Sequence, residues 1–211
     1  LTFLDSDDIL LPDCLSDAND FMNNNSFEIF HNYYVLKNKE GKTIYSYTYP
    51  PTSEAIEAIA KGNFLSCIGV FISSKIYNEF QFDVESNITG TEDWDFWLRI
   101  LPNFELGRIP KVNCIIMDHS DRTVHNKGLA EDILQKKFKV IEKIKTDKSL
   151  SHIYKPYMNQ MQACALLYSG TLAANNSSGN QARKYLLEAI KIEPKMAFTK
   201  RSASILLRSL T

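Results

Sequence analysis

The sequence opens on a short apolar run, Leu1-Thr2-Phe3-Leu4, followed at once by Asp5-Ser6-Asp7-Asp8. This pairing limits the fold more than any other feature. A brief continuous apolar run predicts a strand buried on both faces, as in the parallel sheet of an α/β domain. Open α/β sheets place ligands at the C-terminal ends of their strands, and carboxylates crowded there repel one another unless a cation lies between them. Mg²⁺ or Mn²⁺ suits such a place, since each takes oxygen ligands and needs only one or two protein carboxylates beside substrate phosphates. The plain alternative is a polar loop capping the helix that begins at Leu11-Pro12-Asp13. A strand buried on both faces also needs neighbours on both sides, and in a doubly wound sheet these usually come earlier in the chain. The chain is therefore expected to be the later part of a larger domain. With an exposed edge, the first strand would invite pairing with a second copy.

Composition narrows the class of partner. The 211 residues are 44% hydrophobic and 23% charged, the profile of a globular chain. With 24 basic and 25 acidic residues the net charge is −1, so no global attraction to nucleic acid or an anionic membrane is expected. No apolar run approaches the roughly 18 residues of a membrane span, and no secretory signal pattern is present. A cytoplasmic location is expected, free or peripheral at the inner face of the membrane. Cys14, Cys67, Cys114 and Cys164 lack the short spacing of zinc or redox sites, so they read as small buried hydrophobes.

Along the chain, Leu15, Ala18 and Met22 mark the apolar face of a first helix. Residues 27–36 and 43–49 read as a hairpin around Gly41, residues 53–60 as a helix, 65–73 as a buried strand and 75–80 as a helical turn. A polar loop at 83–90 leads to the most clearly patterned helix. Trp94, Trp97, Leu98 and Leu101 fall on one face, Asp95 and Arg99 can pair on the other, Thr91 is the expected N-cap and Pro102 the stop. Glu92 and Asp93 then sit beside the positive end of the helix dipole, which keeps Asp93 ionised as a general base requires. Residues 106–117 read as two strands interrupted by Pro110. From Leu129 onward only helical patterns remain, at 129–144, 154–172, 181–192 and 198–210. Ala182, Leu186, Ala189, Ile190 and Pro194, with Gly170 before them, resemble a single tetratricopeptide-type helix pair. Such a pair, lacking stacked neighbours, is expected to be a helical cap rather than a peptide-binding solenoid.

The two acidic clusters together resemble the inverting family 2 glycosyltransferases of the GT-A fold. Phe3-Leu4-Asp5-Ser6-Asp7-Asp8 with Pro12-Asp13 is similar to the family's D-x-D segment. Phe82-Asp83 is similar to its GFDE turn, with Gln81 in place of Gly and Val84 in place of Glu. Residues 91–99, Thr-Glu-Asp-Trp-Asp-Phe-Trp-Leu-Arg, are similar to its ED-x-D-x-W-x-R helix. The resemblance implies a partial GT-A (Rossmann-like) sheet over residues 1–126; outside it, the helical patterns of 127–211 predict an all-helical extension carrying the tetratricopeptide-like pair, so the chain as a whole is expected to be mixed α/β. It implies metal-dependent, inverting transfer of a sugar from a nucleotide-sugar donor to a hydroxyl of a glycan or lipid-linked acceptor, as in polysaccharide biosynthesis. By position, Asp7 is the main metal ligand, Asp5 contacts the metal or the donor, and Asp8 is a substitute ligand. Asp93 takes the acceptor proton and Glu92 positions the acceptor, while His119 and Arg122 close over the donor diphosphate. Family members carry an upstream βαβ half that holds the base and ribose, so weak donor binding and little turnover are expected of these 211 residues.

Two rivals remain at this level. Haloacid-dehalogenase-type phosphohydrolases also present an apolar strand followed by D-x-D, but usually with Gly-Thr next, where Asp8-Ile9 stands here. A helical interaction or scaffold protein would place the function in residues 129–211 and leave the α/β part as a degenerate support.

Overall fold

The computed structural model describes residues 1–47, 49–84, 87–118 and 129–209. The chain is mixed α/β and divides into two compact units: Leu1–Ile59 with Asn63–Phe82 and Asp93–Ser120, and Ala60–Gly62 with Asp83–Glu92 and Asp121–Thr211.

The first unit is built on a five-stranded mixed sheet. Its strands are β1 (Ile9–Leu10), β2 (Ile29–Lys37), β3 (Thr43–Ser46), β4 (Val70–Ile72) and β5 (Leu106–Met117). β5 lies between β1, which it meets antiparallel, and β2, which it meets in parallel. The far edge of β2 is shared: its first residues pair antiparallel with β4 and its last with β3. The expected hairpin is therefore present. Its turn is closed by Asn38, whose N–H donates to the Lys42 carbonyl at 3.0 Å and whose side chain accepts from the Lys42 N–H at 2.9 Å. Gly41 supplies the left-handed φ of +78° that the turn needs.

Helix α1 (Cys14–Asn24) packs against β5. Its buried face is Cys14, Ala18 and Phe21, which join Phe30, Ile68, Phe71, Cys114 and Ile116 in one apolar cluster. This corrects the face expected from Leu15 and Met22, which are 60% and 52% exposed. The small Cys14 and Ala18 let the helix approach the sheet closely, and the longer side chains turn to solvent.

Helix α2 (Ala55–Lys61) begins after a 3₁₀ turn at Thr52–Glu54, and α3 (Ser74–Glu79) is capped by Ser73, whose hydroxyl accepts from the Ile76 N–H. α4 (Glu92–Ile100) buries Trp94, Trp97 and Leu98 as its pattern requires. It also buries Asp95, Phe96 and Ile100, so Asp95 does not lie on a solvent face. Its charge is matched by Arg99 Nε at 3.0 Å, the expected pairing now inside the protein.

Two strand expectations are corrected. Residues 1–4 do not form a strand buried on both faces. Thr2 bridges Phe71 antiparallel and Leu1 exchanges hydrogen bonds with Ile72, while Leu1 and Leu4 are 60% and 54% exposed. Among the described residues the strand met there is β4, three residues long and shorter than the stretch 65–73 predicted. β5, by contrast, runs through Pro110 unbroken. The register against β2 slips from Asn32 opposite Ile109 to Tyr33 opposite Val112, so Pro110 sits in a bulge where no ladder N–H is required.

The second unit is helical. α5 (Leu129–Thr146), the short α6 (Ser151–Tyr154), α7 (Met158–Asn175), α8 (Gly179–Ile192) and α9 (Lys200–Arg208) follow in order, with 3₁₀ turns at Lys155–Tyr157 and Pro194–Phe198. The predicted helix from residue 154 is thus split at Pro156, and the one from 198 starts only after the second turn. α7 is the hub, packing on α5, α8 and α9. It buries residues around its whole circumference, from Met161 to Ala174, as a central helix must. At Gly170 an added Cβ would lie 3.2 Å from Ile205 and 3.5 Å from the Ala182 carbonyl, so this glycine lets α8 and α9 come close.

Among the described residues no helix is long and apolar enough to cross a membrane. The four cysteines carry free thiols; Cys14 and Cys114 are fully buried with sulfurs 4.0 Å apart, and Cys67 and Cys164 are partly buried.

Candidate functional site

The acidic run after residue 4 is a turn. The Asp8 N–H donates to the Asp5 carbonyl at 3.2 Å, and the next residues enter β1. Asp5 and Asp7 are exposed on this turn, while Asp8 is half-buried and its Oδ1 accepts the Met117 N–H at 3.3 Å. Asp8 therefore fastens the turn to the end of β5. Among the described residues no group of three or more His, Cys, Asp or Glu gathers as a metal cage. Asp5 and Asp7 supply hard oxygen donors of the kind Mg²⁺ and Mn²⁺ accept when substrate phosphate completes the shell. The donor set fits such an ion in that limited sense.

Asp93 is held differently. One oxygen accepts the Trp94 N–H at 2.7 Å and the other accepts Asn63 Nδ2 at 2.6 Å. Asn63 is itself fixed, since its Oδ1 accepts the Leu65 N–H at 3.2 Å and its carbonyl accepts the Tyr47 hydroxyl at 3.3 Å. Two N–H donors set the orientation of the carboxylate. Behind it, Trp94 anchors the helix by donating its indole N–H to the Ile59 carbonyl at 2.7 Å. The N-cap arrangement differs from the expected one: Thr91 Oγ1 donates to the Ile88 carbonyl at 2.8 Å, and the Trp94 N–H is given to Asp93. Glu92 turns back to accept the Gly90 N–H.

Three rings tie these segments together. Phe3, beside the acidic turn, meets Phe82 edge-on at 5.2 Å; Phe82 stacks on Phe96 of α4 at 4.3 Å and 19°. Arg99 lies over Phe96 at 5.6 Å and donates to the Gln81 carbonyl at 2.8 Å. Each of the three sequence segments that carry the resemblance contributes one ring, so a single aromatic column sets the acidic turn relative to α4.

No family model, curated protein or solved structure matches this chain. The geometry of the residues themselves is what bears on chemistry.

His119 and Arg122 lie outside the described residues. Asp118, just before them, donates its N–H to the Lys37 carbonyl at 2.7 Å, carrying the β2–β5 pairing to the end of β5. Asn63 was not singled out by sequence reasoning. A lone Asn between Gly62 and Phe64 has no pattern that distinguishes it from an ordinary turn residue, and only the chain reversal after α2 brings it to Asp93.

Proposed function

We propose that this chain carries the acceptor-side part of a metal-dependent, inverting glycosyltransferase of the family 2 type, using a nucleotide-sugar donor. The observation that carries the reading is the Phe3–Phe82–Phe96 column, which joins the D-x-D-like turn, the GFDE-like turn and the ED-like helix. On this reading the mixed sheet is part of a GT-A sheet, and α7 with α8 is a tetratricopeptide-like pair. Asp7, helped by Asp5, holds Mg²⁺ or Mn²⁺, and Asp8 fastens the turn. When bound, that ion offsets the charge gathering on the leaving diphosphate.

Asp93 supplies the base. It accepts the proton of the acceptor hydroxyl as the acceptor oxygen bonds to the anomeric carbon. The bond from that carbon to the diphosphate oxygen breaks with its electron pair, and the configuration inverts. The hydrogen bonds from Asn63 and Trp94 hold the carboxylate in place for this transfer. Glu92 positions the acceptor, a glycan or lipid-linked hydroxyl, met in the cytoplasm or at the inner face of the membrane.

The test is calorimetry of the 211-residue chain with UDP and GDP, with Mn²⁺ or with EDTA. Binding is expected only with the metal, and Asp7→Asn should weaken it about tenfold or more. Asp93→Asn should leave nucleotide affinity within about twofold but abolish the slow release of nucleoside diphosphate from the sugar nucleotide. No metal-dependent binding up to millimolar nucleotide rejects the proposal, and equal loss of binding and turnover in Asp93→Asn rejects the role of Asp93. Hydrolysis of p-nitrophenyl phosphate, lost in Asp5→Asn, would support a phosphohydrolase instead.

A further inference from the structure

The β2–β3 hairpin gathers five tyrosines in two layers. The inner layer belongs to the fold. Tyr49 stacks on Tyr33 at 4.2 Å and 3°, and its hydroxyl accepts the Tyr34 N–H at 2.9 Å. The outer layer is Tyr45 and Tyr47, whose rings stand 5.2 Å apart at 89°. Tyr45 is 53% exposed on β3, a strand exposed along its whole length. Tyr47 is backed by Tyr34 at 5.2 Å and Tyr49 at 5.7 Å, so the outer corner rests on a rigid base.

Strand propensity and the cross-strand pairing of Tyr45 with Leu36 explain why an aromatic residue is tolerated here. They do not explain the direction of Tyr47. Its hydroxyl reaches the Asn63 carbonyl, and the Asn63 side chain holds Asp93. One residue thus separates this exposed corner from the carboxylate assigned as the base.

We propose that Tyr45 and Tyr47 form the platform on which a sugar ring of a carbohydrate acceptor lies, beside Asp93. The inference rests on the glycosyltransferase reading and specifies its acceptor as a neutral glycan. The C–H face of a pyranose is apolar and packs on the electron-rich face of an aromatic ring, while its hydroxyls stay in water or meet the phenols. Two rings at a right angle form a corner that meets a sugar on its face and at its edge. A rigid base means that little ordering is lost on binding.

The experiment titrates the full chain with cellotetraose, chitotetraose and maltotetraose, without donor, followed by saturation-transfer NMR and calorimetry. At least one tetrasaccharide is expected to bind. Tyr45→Ala should weaken it about fivefold to tenfold, and Tyr45→Phe should retain affinity within about twofold, because the ring face carries the contact. Tyr45 is exposed, so both variants should melt as the unmodified chain does. Binding equal in Tyr45→Ala and the unmodified chain overturns the proposal, as does the absence of binding by all three sugars. Nucleotide binding, measured separately, distinguishes the failures. Metal-dependent nucleotide binding without tetrasaccharide binding rejects the platform and leaves the transferase reading intact. Tetrasaccharide binding without nucleotide binding rejects the acceptor role assigned to this corner.

Discussion

His31 stands near the start of β2 with its ring 4.9 Å from that of Tyr49 and its Nδ1 3.1 Å from the Asn32 carbonyl. Burial pushes its pKa down to about 4, and the Arg108 charge pushes the same way. The unfolded chain takes up this proton near 6.5, and the folded chain resists until about 4. His31 therefore costs nothing above pH 6.5, and stability falls as the pH drops through that window, by about 3 kcal/mol at its foot. Urea unfolding at pH 7 and pH 4 should show this loss, and His31→Gln should show a correspondingly smaller one. Equal loss in both proteins would place the acid sensitivity elsewhere. On the transferase reading, Asn63→Ala should lower turnover about tenfold with donor affinity unchanged, since it removes the Asn63 hydrogen bond to Asp93. Asn63→Asp should also move the acidic limb of the pH–rate profile upward, because a second carboxylate disfavours charge on Asp93. A profile that keeps its position would make Asn63 a packing residue. The place of Asp93 in the first turn of a helix was legible in the sequence from the pattern that follows it; its contact with Asn63 was not, because that partner lies thirty positions away.

Among the elements, the turn before β4 is the most sharply determined. Gly69 has φ +79°, and a Cβ there would lie 2.8 Å from Cys114 Sγ in the middle of β5. Gly69→Ala should therefore cost about 2–4 kcal/mol, combining left-handed strain with overpacking. Adding Cys114→Ala should return the packing part and not the backbone part, and denaturant midpoints of the single and double variants separate the two. A double variant no more stable than Gly69→Ala would mean that the strain is wholly in the backbone. What the sequence made legible at this scale was periodicity. The hairpin, α4 and the helical tail follow from repeating patterns that local physics imposes. The face of α1 and the unity of β5 were not legible for a common reason: both depend on what lies opposite. Cys14 and Ala18 face the sheet because they are small, and Pro110 is accommodated because β2 allows a bulge across from it.

For the molecule as a whole, charge balance has a practical consequence. With a net charge of −1 and an isoelectric point near 6.5, the chain has little self-repulsion at neutral pH. Light scattering should show the lowest solubility near pH 6.5 and a clear improvement by pH 8.5; a flat profile would show that local patches, not net charge, govern association. The mixed α/β class was legible from the change in pattern near residue 129, and the unit boundaries were not, because residues 60–62 and 83–92 group with the helices. In the aromatic column of Phe3, Phe82 and Phe96, the first ring comes from a stretch nearly eighty positions or more before the other two. A change of ring size at one of them alters the fit at the other two, so double substitutions there should be strongly non-additive. For an evolving or engineered lineage the three phenylalanines behave as a single heritable character, and a library that varies them one at a time will find each of them immutable.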